Sequence, residues 1–261
     1  MGDARERLDR LLSRLGYGSR RDIARYVRQG KVEVAGGPAR TGAMRVHPAE
    51  VRFDGTPLDH PDGLTVVYHK PVGSVCSHRE QGRLIYEDFP PRWLRRRPVL
   101  ASAGRLDKNT SGLLVLSDDG ALNHRLTSPR HAVAKVYHAR LARPLRGDEA
   151  ERLASGRMVL AGEDKPCLPA GFRALGACAA EVTVYEGRYH LVRRLFAALG
   201  NHVVALQRIA IGGLRLDELD LVPGGWRVVA REWLWQRVNL HTRHHCHDAD
   251  AADAGPSGAE G

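Results

Sequence analysis

The first thirty residues alternate leucines with charged side chains at helical spacing. In "LDRLLSRL" (8–15) the leucines fall at i, i+3, i+4 and i+7, which predicts an amphipathic helix with one buried face. A second helix is predicted after it, because Ser19 and Asp22 have the spacing of a capping box and Gly30 can end the helix.

The apolar pattern then changes to the period of two that is typical of short strands. Val32 and Val34 alternate with polar residues, and "VRF" (51–53) precedes a turn at Asp54 and Gly55. These elements predict a compact helix–helix–strand module over residues 5–58.

Residues 59–63, "DHPDG", have the composition of a linker. Beyond this segment, residues 64–241 alternate strands with occasional helices and lack regular βαβ spacing, which favours an α+β domain with a mainly antiparallel sheet. The strands are expected at 64–70, 112–117, 135–141, 180–186, 202–211 and 226–230, and the helices at 123–127 and 189–199.

The end of the chain, residues 242–261, is small, polar and aperiodic, which predicts a disordered tail. Its histidines and Cys246 could bind a soft metal, but such tracts are usually incidental, so we assign no metal site. The four cysteines form no C-x-x-C pair and are expected to be reduced thiols. With no apolar run of membrane length and no secretory leader, we expect a cytoplasmic protein, and a monomer.

Positive charge is concentrated at the N-terminus. The whole chain has forty Lys and Arg against thirty Asp and Glu, a net charge of +10, and residues 1–31 alone contribute nine basic and four acidic residues. A polyanion such as RNA is the favoured partner, although a merely solvated helix face remains the alternative. The candidate RNA-binding residues of this module are Arg10, Arg14, Arg20, Arg21, Arg25, Arg28 and Lys31.

Two further segments carry candidate chemistry. Asp107 stands alone in the turn "GRLD" ahead of an apolar strand, where it is either a reactive carboxylate or a turn residue. A strand-to-helix junction at 185–200 gathers Arg188, His190, Arg193 and Arg194, which either form an exposed basic helix or line an anion-binding pocket. Tyr137, on a predicted strand, is either a core residue or a ring that stacks on a base.

Other reaction classes lack their sequence motifs. The chain has no G-x-S-x-G elbow, no Walker loop, no dinucleotide fingerprint and no H-E-x-x-H. The adjacent acids Asp118 and Asp119 point in different directions along the chain, so they are predicted to be turn and cap residues rather than a glycosidase pair.

Three quoted segments together resemble the RsuA-type family of pseudouridine synthases: "GRLDKNTSGLLVLSDDG", "AKVYHARL" and "EGRYHLVRRLFAALG". The N-terminal "RLDRLLSRLGYGSRRDIARYVRQGKVEVAGG" resembles the αL RNA-binding motif that this family usually carries. The resemblance spans about residues 5–238. It implies isomerisation of uridine to pseudouridine in ribosomal RNA or an assembling subunit, a reaction that conserves every atom, so neither a cofactor nor a metal is expected.

The resemblance also implies residue roles. Asp107 would be the catalytic carboxylate, acting on the sugar, on the base or on a ribose proton, and Tyr137 would stack on the uracil. Arg193 would pair with Asp107 and keep it ionised. Arg105 and Leu106 lie next to Asp107 in the pocket, and Arg105 would prop the RNA after the target nucleotide is extruded. Arg188 and Arg194 are further candidate RNA-binding residues.

The chain departs from the family pattern at Leu191, where glutamine is usual, and at Phe196, where methionine is common. Segments such as "GNHVVALQRIAIGGL" look most like the branch that modifies small-subunit 16S RNA, at a site of the uridine-516 type. A synthase that acts on 23S RNA and a noncatalytic RNA-binding or assembly protein remain the alternatives.

Overall fold

The computed structural model describes residues 5–239, and it begins with a small domain of two helices and short strands. Helix α1 covers Leu8–Arg14 and helix α2 covers Arg20–Arg28. Strand β1 (Val32–Val34) pairs antiparallel with strand β2 (Val51–Phe53). The leucine face of α1 is fully buried in the cluster that these elements enclose. The predicted order of helix, helix and strand is confirmed.

The sequence signals at the helix ends also operate as expected. The Ser19 hydroxyl accepts a hydrogen bond from the Asp22 amide at 3.2 Å, and the Asp22 carboxylate accepts one from the Ser19 amide at 3.0 Å, which completes the capping box. Gly16 follows α1 with φ of +84°, and a Cβ at this position would lie 2.4 Å from the carbonyl oxygen of Arg92. Glycine therefore allows this domain to approach the next one closely.

The segment 59–63 is attached to the C-terminal domain by hydrogen bonds. The Asp59 carboxylate accepts a hydrogen bond from Arg92 at 2.6 Å. The buried guanidinium of Arg96 donates to the carbonyl oxygens of Asp59 and His60 at 3.1 and 2.9 Å. A segment with the composition of a linker thus has fixed partners on the domain that follows it. The tail predicted at 242–261 lies outside the described residues.

The C-terminal domain is built on a nine-stranded sheet. Its main strands are β3 (Thr65–Lys70), β4 (Thr110–Ser117), β5 (Lys135–Leu141), β6 (Gly171–Gly176), β7 (Ala179–Val184), β8 (Val203–Ile211) and β9 (Trp226–Val228). They lie in the order β6–β7–β5–β8–β4–β3–β9. Each neighbouring pair is antiparallel except β8 and β4, which are parallel from Leu206 opposite Thr110 to Arg208 opposite Gly112. The predicted α+β domain with a mainly antiparallel sheet is confirmed.

Four helices complete the C-terminal domain as far as it is described, and short elements occur in both domains. The helices are α3 (Gly120–Thr127), α4 (Glu149–Ala154), α5 (Leu191–Ala198) and α6 (Arg231–Asn239). Two-residue strands occur at Glu6–Arg7, Gly37–Pro38, Arg45–Val46, Thr56–Pro57, Ala101–Ser102 and Leu214–Arg215, and 3₁₀ turns at Pro48–Glu50, Ile85–Asp88, Trp93–Arg95 and Pro129–His131. Over the described residues no helix is long and apolar enough to cross a bilayer.

The two faces of the large sheet carry different apolar clusters. On one face, Leu206 belongs to a cluster around α4 and α5, here called the α5 cluster, and Leu114 belongs to a second cluster around Trp93, here called the Trp93 cluster. On the opposite face, Leu113 packs in a third cluster with α3 and α6. Tyr137 contacts both the α5 cluster and the Trp93 cluster, so its ring lies where the two meet.

Three elements were not predicted from the sequence: α4, β6 and α6. Strand β6 is an edge strand whose residues are almost all exposed, so it has no alternating apolar pattern. In α6 only Leu234 and Val238 are buried, while Trp233 and Trp235 are half-buried on either side of them. This arrangement obscures the apolar stripe on which a helix prediction depends.

Candidate active site

Asp107 lies in a loop whose backbone is hydrogen-bonded to a buried lysine. This loop, residues 104–110, is called here the Asp107 loop. The fully buried Lys70 ammonium, at the end of β3, donates to the carbonyl oxygens of Asp107 and Thr110 at 3.1 and 2.9 Å. The Thr110 amide donates to the same Asp107 oxygen at 3.0 Å. These bonds fix the backbone from which the Asp107 side chain projects.

Sequence reasoning missed Lys70, although a signal for it was present. The end of an otherwise apolar strand, immediately before a proline, is an unusual place for an exposed lysine. Burial lowers the pKa of Lys70 below its ordinary value, and the nearby Asp107 opposes that decrease. A charged amine that is buried here needs carbonyl oxygens to accept its hydrogen bonds. The charge of Lys70 therefore constrains the backbone of the Asp107 loop.

The Asp107 carboxylate faces a histidine. Its Oδ1 lies 3.3 Å from Nε2 of His190, and the two side chains are 31% and 37% exposed. His190 occupies the N-cap position of α5, without a side-chain capping bond, and has φ of +51°, in the left-handed region. The carboxylate is thus open to solvent on one side and next to an imidazole on the other, a geometry in which it can reach a bound substrate.

Arg193 does not make the ion pair that was expected of it. Among the described residues the basic side chain within 4 Å of the Asp107 carboxylate is His190. The Arg193 guanidinium instead donates to the carbonyl oxygens of Asn109 at 2.8 Å and Val203 at 3.0 Å. The reason is positional, since the guanidinium lies between the start of β8 and the Asp107 loop and bonds to one carbonyl oxygen of each. Arg193 therefore joins α5 to the Asp107 loop through the backbone.

Tyr137 is accompanied by a buried arginine that sequence reasoning did not select. Arg208 on β8 is opposite Tyr137 in the β5–β8 register and is 3% exposed. Its Nε donates to the carbonyl oxygen of Leu113 at 2.8 Å, and its Nη1 lies 3.5 Å from the Tyr137 hydroxyl oxygen. Its Nη2 is buried without a hydrogen-bond partner.

Gly112 explains how this arginine reaches its position. A Cβ at residue 112 would lie 2.2 Å from the carbonyl oxygen of Arg208, so only glycine allows β4 and β8 to approach this closely. Lys135, on the same face of β5 as Tyr137, is a second cation near Arg208. Burial, and then the charge of Arg208, lowers the pKa of Lys135 to about 8.

The two neighbours of Asp107 in sequence have different environments. Arg105 has a side chain that is 66% exposed, and it donates to Glu80 at 2.9 Å. Leu106 is 5% exposed and packs in the Trp93 cluster. Arg105 is therefore a surface residue, whereas Leu106 anchors the loop in the core.

Arg188 and Arg194, which were expected to contact RNA, are instead engaged with the protein. Both guanidinium groups pair with Glu163, and Arg188 also pairs with Glu186 at 2.7 Å. Arg194 donates to the backbone oxygen of Tyr189 at 3.3 Å. The acidic partner, Glu163, was not recognised in the sequence, because 25 and 31 residues separate it from Arg188 and Arg194. Both arginines fix the junction before α5.

The basic residues of the N-terminal domain fall into two groups. Arg14, Arg25 and Lys31 each have an acidic partner within 4 Å, at distances of 2.6, 2.8 and 3.6 Å. The other candidates are exposed and have no acidic partner within the described part of the chain: Arg10, Arg20, Arg21 and Arg28. The second group has the charge that is free to meet a polyanion.

A groove of about 750 Å³ adjoins the Asp107 loop next to Arg193. Its other polar walls include His138 and Arg140 from β5 and His202 before β8, and no acidic residue lines it. His138 follows Tyr137 on the same strand, so the groove lies on the opposite sheet face from the phenol ring. The surroundings of the loop are therefore basic on both sides of the sheet.

Two family models match the chain in the order of its domains. The S4 domain model matches residues 6–51, and the RNA pseudouridylate synthase model matches residues 64–198.

Proteins named as pseudouridine synthases match this chain over nearly the whole of their own length. The chain is 39% identical over 231 residues to "Ribosomal small subunit pseudouridine synthase A" of Escherichia coli, a match that covers 87% of this chain and 97% of that one. A Vibrio vulnificus protein of the same name is 37% identical, with the same two coverages. An Aquifex aeolicus protein described as an uncharacterized RNA pseudouridine synthase is 36% identical and is covered to 93% of its length.

A solved structure shows the same architecture. A crystal structure of a pseudouridylate synthase superposes with a TM-score of 0.62 at 35% identity, covering 89% of this chain and 99% of the other. With both domains matched in order, and with named relatives matched over almost their whole length, the chain belongs to the RNA pseudouridylate synthase family and is a pseudouridine synthase with an N-terminal S4 domain.

Proposed function

We propose that this enzyme converts a uridine of ribosomal RNA to pseudouridine, that its substrate is the 16S RNA of the small subunit, and that the target is of the uridine-516 type. The observation that carries the proposal is the Asp107 carboxylate. Its backbone is fixed by the buried Lys70, and its side chain meets His190 at the start of α5, the helix whose apolar cluster also contacts Tyr137. The relatives named for small-subunit modification support the choice of RNA.

The reaction is a rearrangement within one nucleotide. The bond between C1′ of the ribose and N1 of uracil breaks, the base turns, C5 bonds to C1′, and the C5 proton leaves while N1 gains one. Asp107 serves this reaction as a nucleophile or as a base, and either role requires the ionised carboxylate. His190, when protonated, supplies the positive charge next to it.

Tyr137 would form the floor on which the detached uracil turns. Its ring is half-buried where the two apolar clusters meet, so one face can contact a base while the other packs on the protein. The base must first leave its stack in the RNA, which costs a few kcal/mol. Arg105, exposed at the start of the Asp107 loop, is placed to fill the vacated position after it releases Glu80.

The S4 domain would supply sequence-independent affinity for RNA. Arg10, Arg20, Arg21 and Arg28 present charge without an acidic partner in the described structure, and such groups gain affinity by releasing counterions from phosphates. The enzyme would act as a monomer in the cytoplasm on 16S RNA, either naked or in an assembling small subunit.

Tritium release tests the activity. With RNA that carries tritium at C5 of uridine, the wild-type enzyme should release tritium from 16S RNA, and Asp107→Asn should abolish the release. Asp119→Asn is the matched control, because Asp119 caps α3 through backbone amides and asparagine caps equally well. Unchanged release by Asp107→Asn would remove Asp107 from its role.

The choice of RNA needs a separate measurement. Pseudouridine mapping in rRNA from cells that lack this protein should reveal one missing site in 16S RNA, and expression of the wild-type protein should restore it. A missing site in 23S RNA would assign the enzyme to the large subunit. Full rescue of ribosome assembly by Asp107→Asn would favour a noncatalytic assembly role.

A further inference from the structure

Tyr189, at the rim of the active site, has an exposure that its surroundings do not explain. It is 76% exposed, the highest value among the large hydrophobic side chains of the described residues. Tyrosine usually buries much of its ring, because the ring is largely apolar. A ring left in water next to a catalytic carboxylate therefore points to a ligand.

The ring is already stacked on one side. Its centroid lies 3.8 Å from that of the His190 ring, and the two planes are inclined by 16°. The same His190 reaches Asp107 with its Nε2 at 3.3 Å. Tyr189, His190 and Asp107 thus form a continuous contact from the exposed rim to the reacting carboxylate.

The exposure of Tyr189 does not result from a loose backbone. Arg194 donates to its carbonyl oxygen at 3.3 Å, and the preceding Arg188 is bound to Glu186, to Glu163 and to the backbone of Lys165 and Pro166. His190, which follows, has φ of +51°, a conformation that non-glycine residues adopt only where the surroundings impose it. The ring is therefore presented by a fixed segment.

The two tyrosines lie at different depths, so they would contact different nucleotides. Tyr137 lies half-buried at the floor of the site, on the sheet, and can meet only a base that has left the RNA stack. Tyr189 is exposed at the rim, where its ring can meet a base that stays outside the pocket. Unpaired RNA bases are commonly held by stacking on aromatic side chains.

We propose that Tyr189, supported by His190, is a stacking platform for the base of a nucleotide adjacent to the target uridine. This inference rests on the proposed function, and it adds a second base subsite to the one formed by Tyr137.

Steady-state kinetics on a defined RNA test the platform. The substrate is a hairpin transcript of the rRNA segment that contains the mapped target, together with two versions that lack the base on the 5′ or the 3′ side of it. Tyr189→Ala should raise KM for the intact hairpin about 5- to 150-fold, the range for loss of one base–aromatic stack, and should leave kcat within about threefold. For one of the two abasic hairpins, wild type and Tyr189→Ala should have the same KM.

Two further variants serve as controls. Tyr189→Phe retains the ring and should behave as wild type. Val222→Ala changes another exposed apolar side chain, 73% exposed and remote from the Asp107 loop in sequence, and should not alter KM. An unchanged KM in Tyr189→Ala, or the same rise on the intact hairpin and on both abasic hairpins, would overturn the platform.

A binding measurement separates this inference from the catalytic proposal. Asp107→Asn protein is mixed with the hairpin that carries 2-aminopurine at the flanking position identified above. The fluorescence of 2-aminopurine should be quenched when the Asp107→Asn protein binds the hairpin. The quenching should be much weaker with the double variant that carries both Asp107→Asn and Tyr189→Ala. Equal quenching in both proteins would contradict the platform. Quenching that depends on Tyr189, without pseudouridine formation by the wild-type enzyme, would support the platform while refuting the proposed function.

Discussion

The Nη1 of Arg208 lies 3.5 Å from the hydroxyl oxygen of Tyr137, and the two residues are opposite each other on neighbouring strands. Arginine can only donate, so the phenol oxygen is the acceptor and its own proton is directed elsewhere. In the described part of the chain no carboxylate pairs with this buried guanidinium. By contrast, Arg96, which is equally buried, pairs with Asp118 at 2.9 Å. A buried arginine without a counter-charge costs stability, which is consistent with a functional reason for Arg208.

If Tyr137 holds the uracil as proposed, Arg208→Met should lower kcat about 10- to 100-fold, the effect of losing one charged hydrogen bond to its hydroxyl. In the Tyr137→Phe background the same change should have little further effect, since the hydroxyl that it acts on is already absent. Arg96→Met is the matched control, and it should lower the thermal midpoint while preserving the activity of the folded fraction. Equal losses in both Tyr137 backgrounds would show that Arg208 acts on the fold alone.

Lys70→Met should disorganise the Asp107 loop. The change leaves the carbonyl oxygens of Asp107 and Thr110 without their buried donor, at a cost of about 2–4 kcal/mol in the free energy of unfolding. We expect a large decrease in kcat as well, because the catalytic carboxylate loses its fixed backbone. Chemical denaturation and tritium release measured on the same preparation check both effects. Full activity in the folded fraction would contradict the role given to Lys70.

Lys135 should make the protein more stable as pH rises above 8. Its pKa in the folded protein is about 8, against about 10.4 in an unfolded chain. Between these values the unfolded chain holds a proton that the folded protein has lost, so the free energy of unfolding increases with pH. The cost of burying the charged amine is therefore greatest below pH 8.

Lys135→Met should accordingly raise the free energy of unfolding at pH 7 by about 1–3 kcal/mol, and by much less at pH 10. Denaturation curves of both proteins at the two pH values test this difference. The same gain at both pH values would mean that packing, and not the charge near Arg208, determines the effect.

Neutralising the unpaired arginines of the S4 domain should weaken RNA binding and flatten its salt dependence. Changing Arg10, Arg20, Arg21 and Arg28 to glutamine should reduce the slope of log K against log salt by about 2–4, if each meets one phosphate. The paired residues Arg25 and Lys31, changed to glutamine together, provide the control and should have a smaller effect per charge. Filter binding over a series of salt concentrations measures both, and equal slopes for all three proteins would show that the unpaired group does not reach RNA.

Local patterns were sufficient for much of the fold. The leucine spacing of α1, the capping box at Ser19 and Asp22, and the cap of α3 by Asp119 all occur as predicted. Each depends on residues within one or two turns of one another, so the chain itself contains the information. Strand β6 and helix α6 were not predicted, because which of their side chains are buried depends on the elements that pack against one of their faces.

The sequence by itself determined the family, the mainly antiparallel α+β domain and the S4 module, and it predicts Asp107 and Tyr137 as site residues. Only the tertiary structure decided the partners: His190 in place of Arg193 at Asp107, Lys70 under the Asp107 loop, Arg208 beside Tyr137, and Glu163 on Arg188 and Arg194. The physical reason is distance along the chain. Motifs specify which groups are present, but hydrogen bonds and ion pairs form between groups that folding brings within about 3–4 Å, and here those groups come from strands and loops that are tens of residues apart.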